Sequence, residues 1–72
     1  MSDDLQERIL LAWSEGRWGF TTTGEVARRM KIAPDLVEVA HRALVKDGWL
    51  HVATTPTACG YLPTLRLIQG DA

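Results

Sequence analysis

Five of the eight basic residues in this chain, Arg28, Arg29, Lys31, Arg42 and Lys46, lie between positions 28 and 46. Clustered guanidinium and ammonium groups are the chemistry that neutralises phosphates. A plainer role fits as well: they can be solvated, and Arg28 and Arg29, closing a helix, complement the negative end of its dipole. Reactive chemistry has less to work with. The sequence contains no nucleophile–base pair, no phosphate-cradling glycine loop and no carboxylates placed across a cleft, and Asp3 and Asp4 are adjacent and terminal. His41 and His51 lie ten residues apart without a carboxylate-rich partner segment. The single cysteine, Cys59, excludes both an intramolecular disulfide and a zinc site built from cysteines. It has no basic neighbour in sequence to activate it, so it reads as an inert thiol. No catalysis, metal or cofactor is expected.

These residues must be positioned by a small fold. A chain of 72 residues forms one domain, 1–72, with a core worth roughly 3–5 kcal/mol. Its 46% hydrophobic and 24% charged residues are ordinary for a globular protein, and it contains no repeat or linker. The net charge of −1 counts against strong nonspecific binding to nucleic acid. The acidic start, Met1-Ser2-Asp3-Asp4, lacks the basic and apolar regions of a secretion signal. No apolar run approaches the ~20 residues that span a bilayer. A cytoplasmic location and no membrane contact are therefore expected.

Local signals place a helix over 3–15, with Ser2 as its cap, Asp3 and Asp4 at its positive end, and Leu5, Ile9, Ala12 and Trp13 on one face. Gly16 is its expected stop, in left-handed geometry. A connector, Arg17-Trp18-Gly19-Phe20, follows, with room for one strand-like bridge. Thr22 and Glu25 have capping-box spacing for a short helix over 23–30 that buries Val26, Ala27 and Met30. Lys31-Ile32-Ala33 makes a tight turn, and Pro34 opens a helix over 34–47 that buries Val37, Ala40, Leu44 and Val45 and stops at Gly48. Strands are expected over 49–54 and 62–68, joined by a loop holding Cys59 and Tyr61, with a frayed end at 70–72. Trp13 belongs in the core and Trp49 under the hairpin. Trp18 is expected to fold over the domain's edge; exposed beside Phe20, it would mark a protein contact instead. His41 should flank the core of its helix, and His51 should be exposed.

The order helix, short helix, tight turn, longer helix, hairpin carries a resemblance. Thr22-Thr23-Gly24-Glu25-Val26-Ala27-Arg28-Arg29-Met30, the turn Lys31-Ile32-Ala33-Pro34, the stripe Val37, Ala40 and Leu44, and the exit Lys46-Asp47-Gly48-Trp49-Leu50 match one pattern. Almost the whole chain resembles the winged helix-turn-helix DNA-binding domains of small bacterial or phage-type regulators. The resemblance implies an α+β fold of three helices and a β-hairpin wing, with the third helix in the major groove of double-stranded DNA.

It also implies a set of contacts. The third helix would expose Asp35, Leu36, Glu38, Val39, Arg42 and Ala43. Arg42 can donate twice to a guanine edge, Glu38 can accept from a cytosine amine, and Leu36, Val39 or Ala43 can touch a thymine methyl. Asp35 and Glu38 equally suit the positive end of a helix, and carboxylates near phosphates weaken affinity. Arg28, Arg29, Lys31 and Lys46 would contact phosphates, joined by Thr22 and Thr23 and by Arg66 on the wing. The wing departs from the family pattern: from Trp49 onward Arg66 is the sole basic residue. Its tip offers Thr55, Thr57 and Tyr61, whose hydroxyls bind phosphate without releasing counterions.

Two functions follow. The first is a DNA-binding regulator of transcription or a DNA-accessory factor, monomeric or dimeric. The second is a winged-helix module that binds protein and has little DNA affinity. A homodimer or protein partner would use Trp18 and Phe20 or the first helix.

Overall fold

Ile9 and Trp13 stand one helical turn apart, and both are fully buried. They anchor the inner face of α1 (Ser2–Gly16) in the computed structural model, which describes residues 2–69. The side-chain roles expected of Ser2 and Asp3, and the fraying expected at 70–72, lie outside the described residues. After α1 come α2 (Thr23–Met30) and α3 (Pro34–Lys46). An antiparallel hairpin of β1 (Leu50–Thr54) and β2 (Cys59–Pro63) follows, and then one helical turn, α4 (Leu65–Ile68). The architecture is α+β, with three helices preceding a two-stranded hairpin.

The three longer helices end alike. At each end one residue turns left-handed, and the next amide reaches back five residues, so carbonyls left over at the helix end are satisfied. In α3 the left-handed residue is Gly48, at φ 86°, and the Trp49 amide donates to the Leu44 carbonyl at 2.9 Å. In α2 it is Lys31, at φ 58°, and the Ile32 amide donates to the Ala27 carbonyl at 3.0 Å. The α1 end corrects the expectation for Gly16. Gly16 is the last helical residue, and Arg17 takes the left-handed turn at φ 51°. The Trp18 amide then donates to the Trp13 carbonyl at 3.2 Å, and the two indoles meet edge to face with centroids 5.5 Å apart. Gly16 is needed for space, because a Cβ there would run into the Trp18 ring.

Helix α3 carries its buried residues, Val37, Ala40, His41 and Leu44, at helical spacing and packs against α1, α2 and β1. His41 lies at the centre of the core rather than at its flank, with no exposed surface. Trp13 is buried and Trp18 half-buried, as expected, and His51 is exposed.

The second strand lies earlier than the sequence signals place it. Strand β2 covers Cys59–Pro63, so Tyr61 and Cys59 are strand residues and the turn shrinks to four, Thr55, Pro56, Thr57 and Ala58. Val52 pairs with Tyr61, and Leu50 with Pro63. The expected strand over 62–68 ends at Pro63 because Thr64 is caught by the α3 exit. Its hydroxyl donates to the carbonyls of Gly48 (2.6 Å) and Trp49 (3.0 Å), and its amide to Trp49 (3.1 Å). The chain turns there into α4 and drops Leu67 into the core.

The bridge expected within Arg17–Phe20 forms one residue later, at Thr21, which exchanges two backbone hydrogen bonds with Tyr61. Strand β2 thus has a neighbour on each side. Gly60 permits this crossing, since a Cβ there would stand 2.8 Å from the Phe20 ring and 2.9 Å from the Thr21 carbonyl oxygen.

Candidate nucleic-acid interface

Burial of one stripe of α3 forces the opposite stripe outward. Asp35, Leu36, Val39, Arg42 and Lys46 are exposed, with Glu38 and Ala43 half-buried at its margin. Two aliphatic residues on this face stand unusually free, Leu36 at 54% and Val39 at 59%. Arg42 reaches back one turn to Glu38, with an N–O distance of 3.2 Å.

Helix α2 brings a second group of cations. The Thr22 hydroxyl caps this helix by accepting from the Glu25 amide at 3.1 Å. The reciprocal half of the capping box is replaced, because the Glu25 carboxylate turns toward Arg28 and Arg29. Arg29, 3.4 Å from that carboxylate, also lies over the Trp18 indole at 5.1 Å. Lys31, in its left-handed turn, and Lys46, at the end of α3, make no ion pair among the described residues.

Three of the five clustered cations are therefore paired with carboxylates, but all three pairs are exposed. Side chains of Arg28 and Arg42 are 75% and 74% accessible. Exposed pairs contribute roughly 0–1 kcal/mol, so exchanging a carboxylate for a phosphate costs little.

The threonines beside these cations are used internally. Besides the Thr22 cap, the Thr23 hydroxyl stands 3.1 Å from His41 Nδ1. This contact ties the start of α2 to the centre of α3. The His41 ring lies 4.5 Å from Tyr61 and 6.0 Å from Trp13, centroid to centroid. Burial pushes its pKa down to about 4, with the charge of Glu38 opposing, so His41 is neutral at pH 7.

Arg66 is displaced from where the sequence signals put it. It lies on α4 and not on a hairpin strand, with Nη1 donating to the Asp47 carbonyl at 2.5 Å and the guanidinium 3.9 Å from the centre of the Trp49 ring. The hairpin tip has no cation, and the Thr55 hydroxyl accepts from the amides of Thr57 (3.3 Å) and Ala58 (2.9 Å). The structure thus gathers Asp35, Leu36, Glu38, Val39, Arg42 and Lys46 on one helix and Arg28, Arg29 and Lys31 on the preceding helix and turn. Arg66 joins the α3 exit instead.

The sequence reasoning missed the α4 contribution and the central position of His41. The second was legible: His41 follows Val37 by four and precedes Leu44 by three, which is the buried stripe itself. Among the described residues, no three His, Cys, Asp or Glu side chains gather as a metal site, and no helix is long and apolar enough to cross a membrane. Compared with protein-family models, curated proteins and solved structures, the chain matches none.

Proposed function

We propose that the chain is a winged helix-turn-helix domain that binds double-stranded DNA in the cytoplasm, as a small regulator or DNA-accessory factor. The observation that carries this reading is the outward stripe of α3, which presents Leu36, Val39, Arg42 and Lys46 to solvent beside the cationic end of α2. A helix braced in this way fits the major groove. In this reading Arg42 meets a base edge, Leu36 and Val39 meet thymine methyls, and Arg28, Arg29, Lys31 and Lys46 hold phosphates. With no cation at its tip, the hairpin contributes little charge, and DNA affinity is modest. The role is binding and not catalysis.

A second reading has its own observation. The exposed Leu36 and Val39, flanked by ion pairs to Glu25 and Glu38, also suit a protein-binding face. An amide-resolved titration with mixed-sequence duplex DNA separates the two. Shifts concentrated between Thr22 and Lys46 and lost on adding salt support DNA binding. No shifts at low salt would reject it in favour of the protein-binding module.

A further inference from the structure

We propose that the cleft between the end of α1 and α4 is a binding site for a small aromatic carboxylate. The cleft is partly open to solvent and has a volume of about 640 Å³, within the range of small-molecule sites. Its walls are Trp13, Trp18, Pro63, Leu67 and Ile68, and Arg17 stands among them. Trp13 is itself buried, with Trp18 packed on it at 61°, so the half-buried indole of Trp18 is the aromatic surface left to a ligand. A planar ring placed against that indole gains buried area and an aromatic contact.

The charge specifies the rest of the ligand. Arg17 makes no ion pair among the described residues, and its left-handed backbone is held by the hydrogen bonds that close α1. A guanidinium beside an apolar surface selects a carboxylate, which it can bind with two parallel hydrogen bonds. The site needs no DNA for its occupancy, so it stands or falls separately from the proposed function.

The test is a ¹H–¹⁵N titration of the whole chain, without DNA, using indole-3-acetate and its neutral amide as probes. Saturable shifts are expected at the indole N–H signals of Trp13 and Trp18 and at the amides of Arg17 and Leu67. The acid should bind at least about fivefold more tightly than the amide, and Arg17→Gln should remove that preference. Ile68→Glu, at an exposed position, should weaken the acid about tenfold through like-charge repulsion while the chain remains folded. Absence of saturable shifts at these signals up to about 5 mM acid, a concentration that reveals even weak sites, would overturn the proposal. So would equal affinity for acid and amide, or a preference that survives Arg17→Gln.

Discussion

The guanidinium of Arg66 covers the indole of Trp49 at 3.9 Å while donating to the carbonyl of Asp47. Together with the Thr64 bonds to Gly48 and Trp49, this pair fastens α4 to the exit of α3. Helix α4 thereby helps set where α3 stops and the hairpin starts. Arg66→Gln should lower stability by about 1 kcal/mol, the sum expected of an exposed cation–π contact and one charge-assisted hydrogen bond. Urea denaturation measures this. An unchanged midpoint, together with a weaker salt dependence of DNA binding, would move Arg66 from the fold to the interface.

His41 makes stability depend on pH in a defined window. Its pKa is held down from 6.5 to about 4 in the folded chain. Below 6.5 the unfolded chain binds the proton and the folded chain does not, so stability is full above that value and falls as pH drops toward about 4. The slope approaches about 1.4 kcal/mol per pH unit, and the whole loss is on the order of 3 kcal/mol. That is comparable with the roughly 3–5 kcal/mol available to a domain of this size. Urea midpoints that stay flat between pH 7 and 5, or a His41 Cε1 resonance already shifted to the protonated position at pH 5.5, would rule this out.

Two arginines should fail differently if α3 reads DNA. Arg42→Ala should cost about 1–3 kcal/mol of discrimination on a selected duplex and little on random sequence. Arg28→Ala should weaken binding to every duplex alike and reduce the salt slope by about 1. Binding isotherms at several salt concentrations check both. Identical losses on selected and random duplexes for Arg42→Ala would remove its base-reading role.

The ion pairs predict a gain of function. Glu38→Gln removes a half-buried carboxylate from the margin of the outward face of α3 and releases Arg42. Affinity for duplex DNA at low salt should rise by roughly threefold to tenfold, since a repulsive charge is lost and a cation is freed. The protein-binding reading expects no such rise, so an unchanged affinity would favour it.

Gly60 should tolerate no side chain. In Gly60→Ala the new methyl would meet the Phe20 ring at 2.8 Å and the Thr21 carbonyl oxygen at 2.9 Å. The carbonyl is backbone and bridges to Tyr61, so it cannot swing aside. A loss of about 1–3 kcal/mol is expected in thermal or urea denaturation, with retained stability the contrary result.

Local signals sufficed for the three longer helices, the buried stripe of α3 and hence the residues of its outward face. These follow from local rules: Thr22 caps within three residues, Pro34 starts a helix, and apolar spacing of three and four names the inner side. Contacts between segments distant in the chain settled the rest. Leu65-Arg66-Leu67-Ile68 fits a strand and a helical turn equally over so short a span. The choice fell to Thr64 and Arg66 meeting the carbonyls of Asp47, Gly48 and Trp49, which no local pattern encodes. The left-handed turn at Arg17 instead of Gly16 likewise depends on the Trp18 ring needing the space above Gly16. The Thr22 cap was legible in its spacing to Glu25, whereas the contact of the Thr23 hydroxyl with His41 required the packing of α2 on α3. Periodicity states which side of an element is buried, whereas partners distant in sequence determine what a polar group is bonded to once it is there.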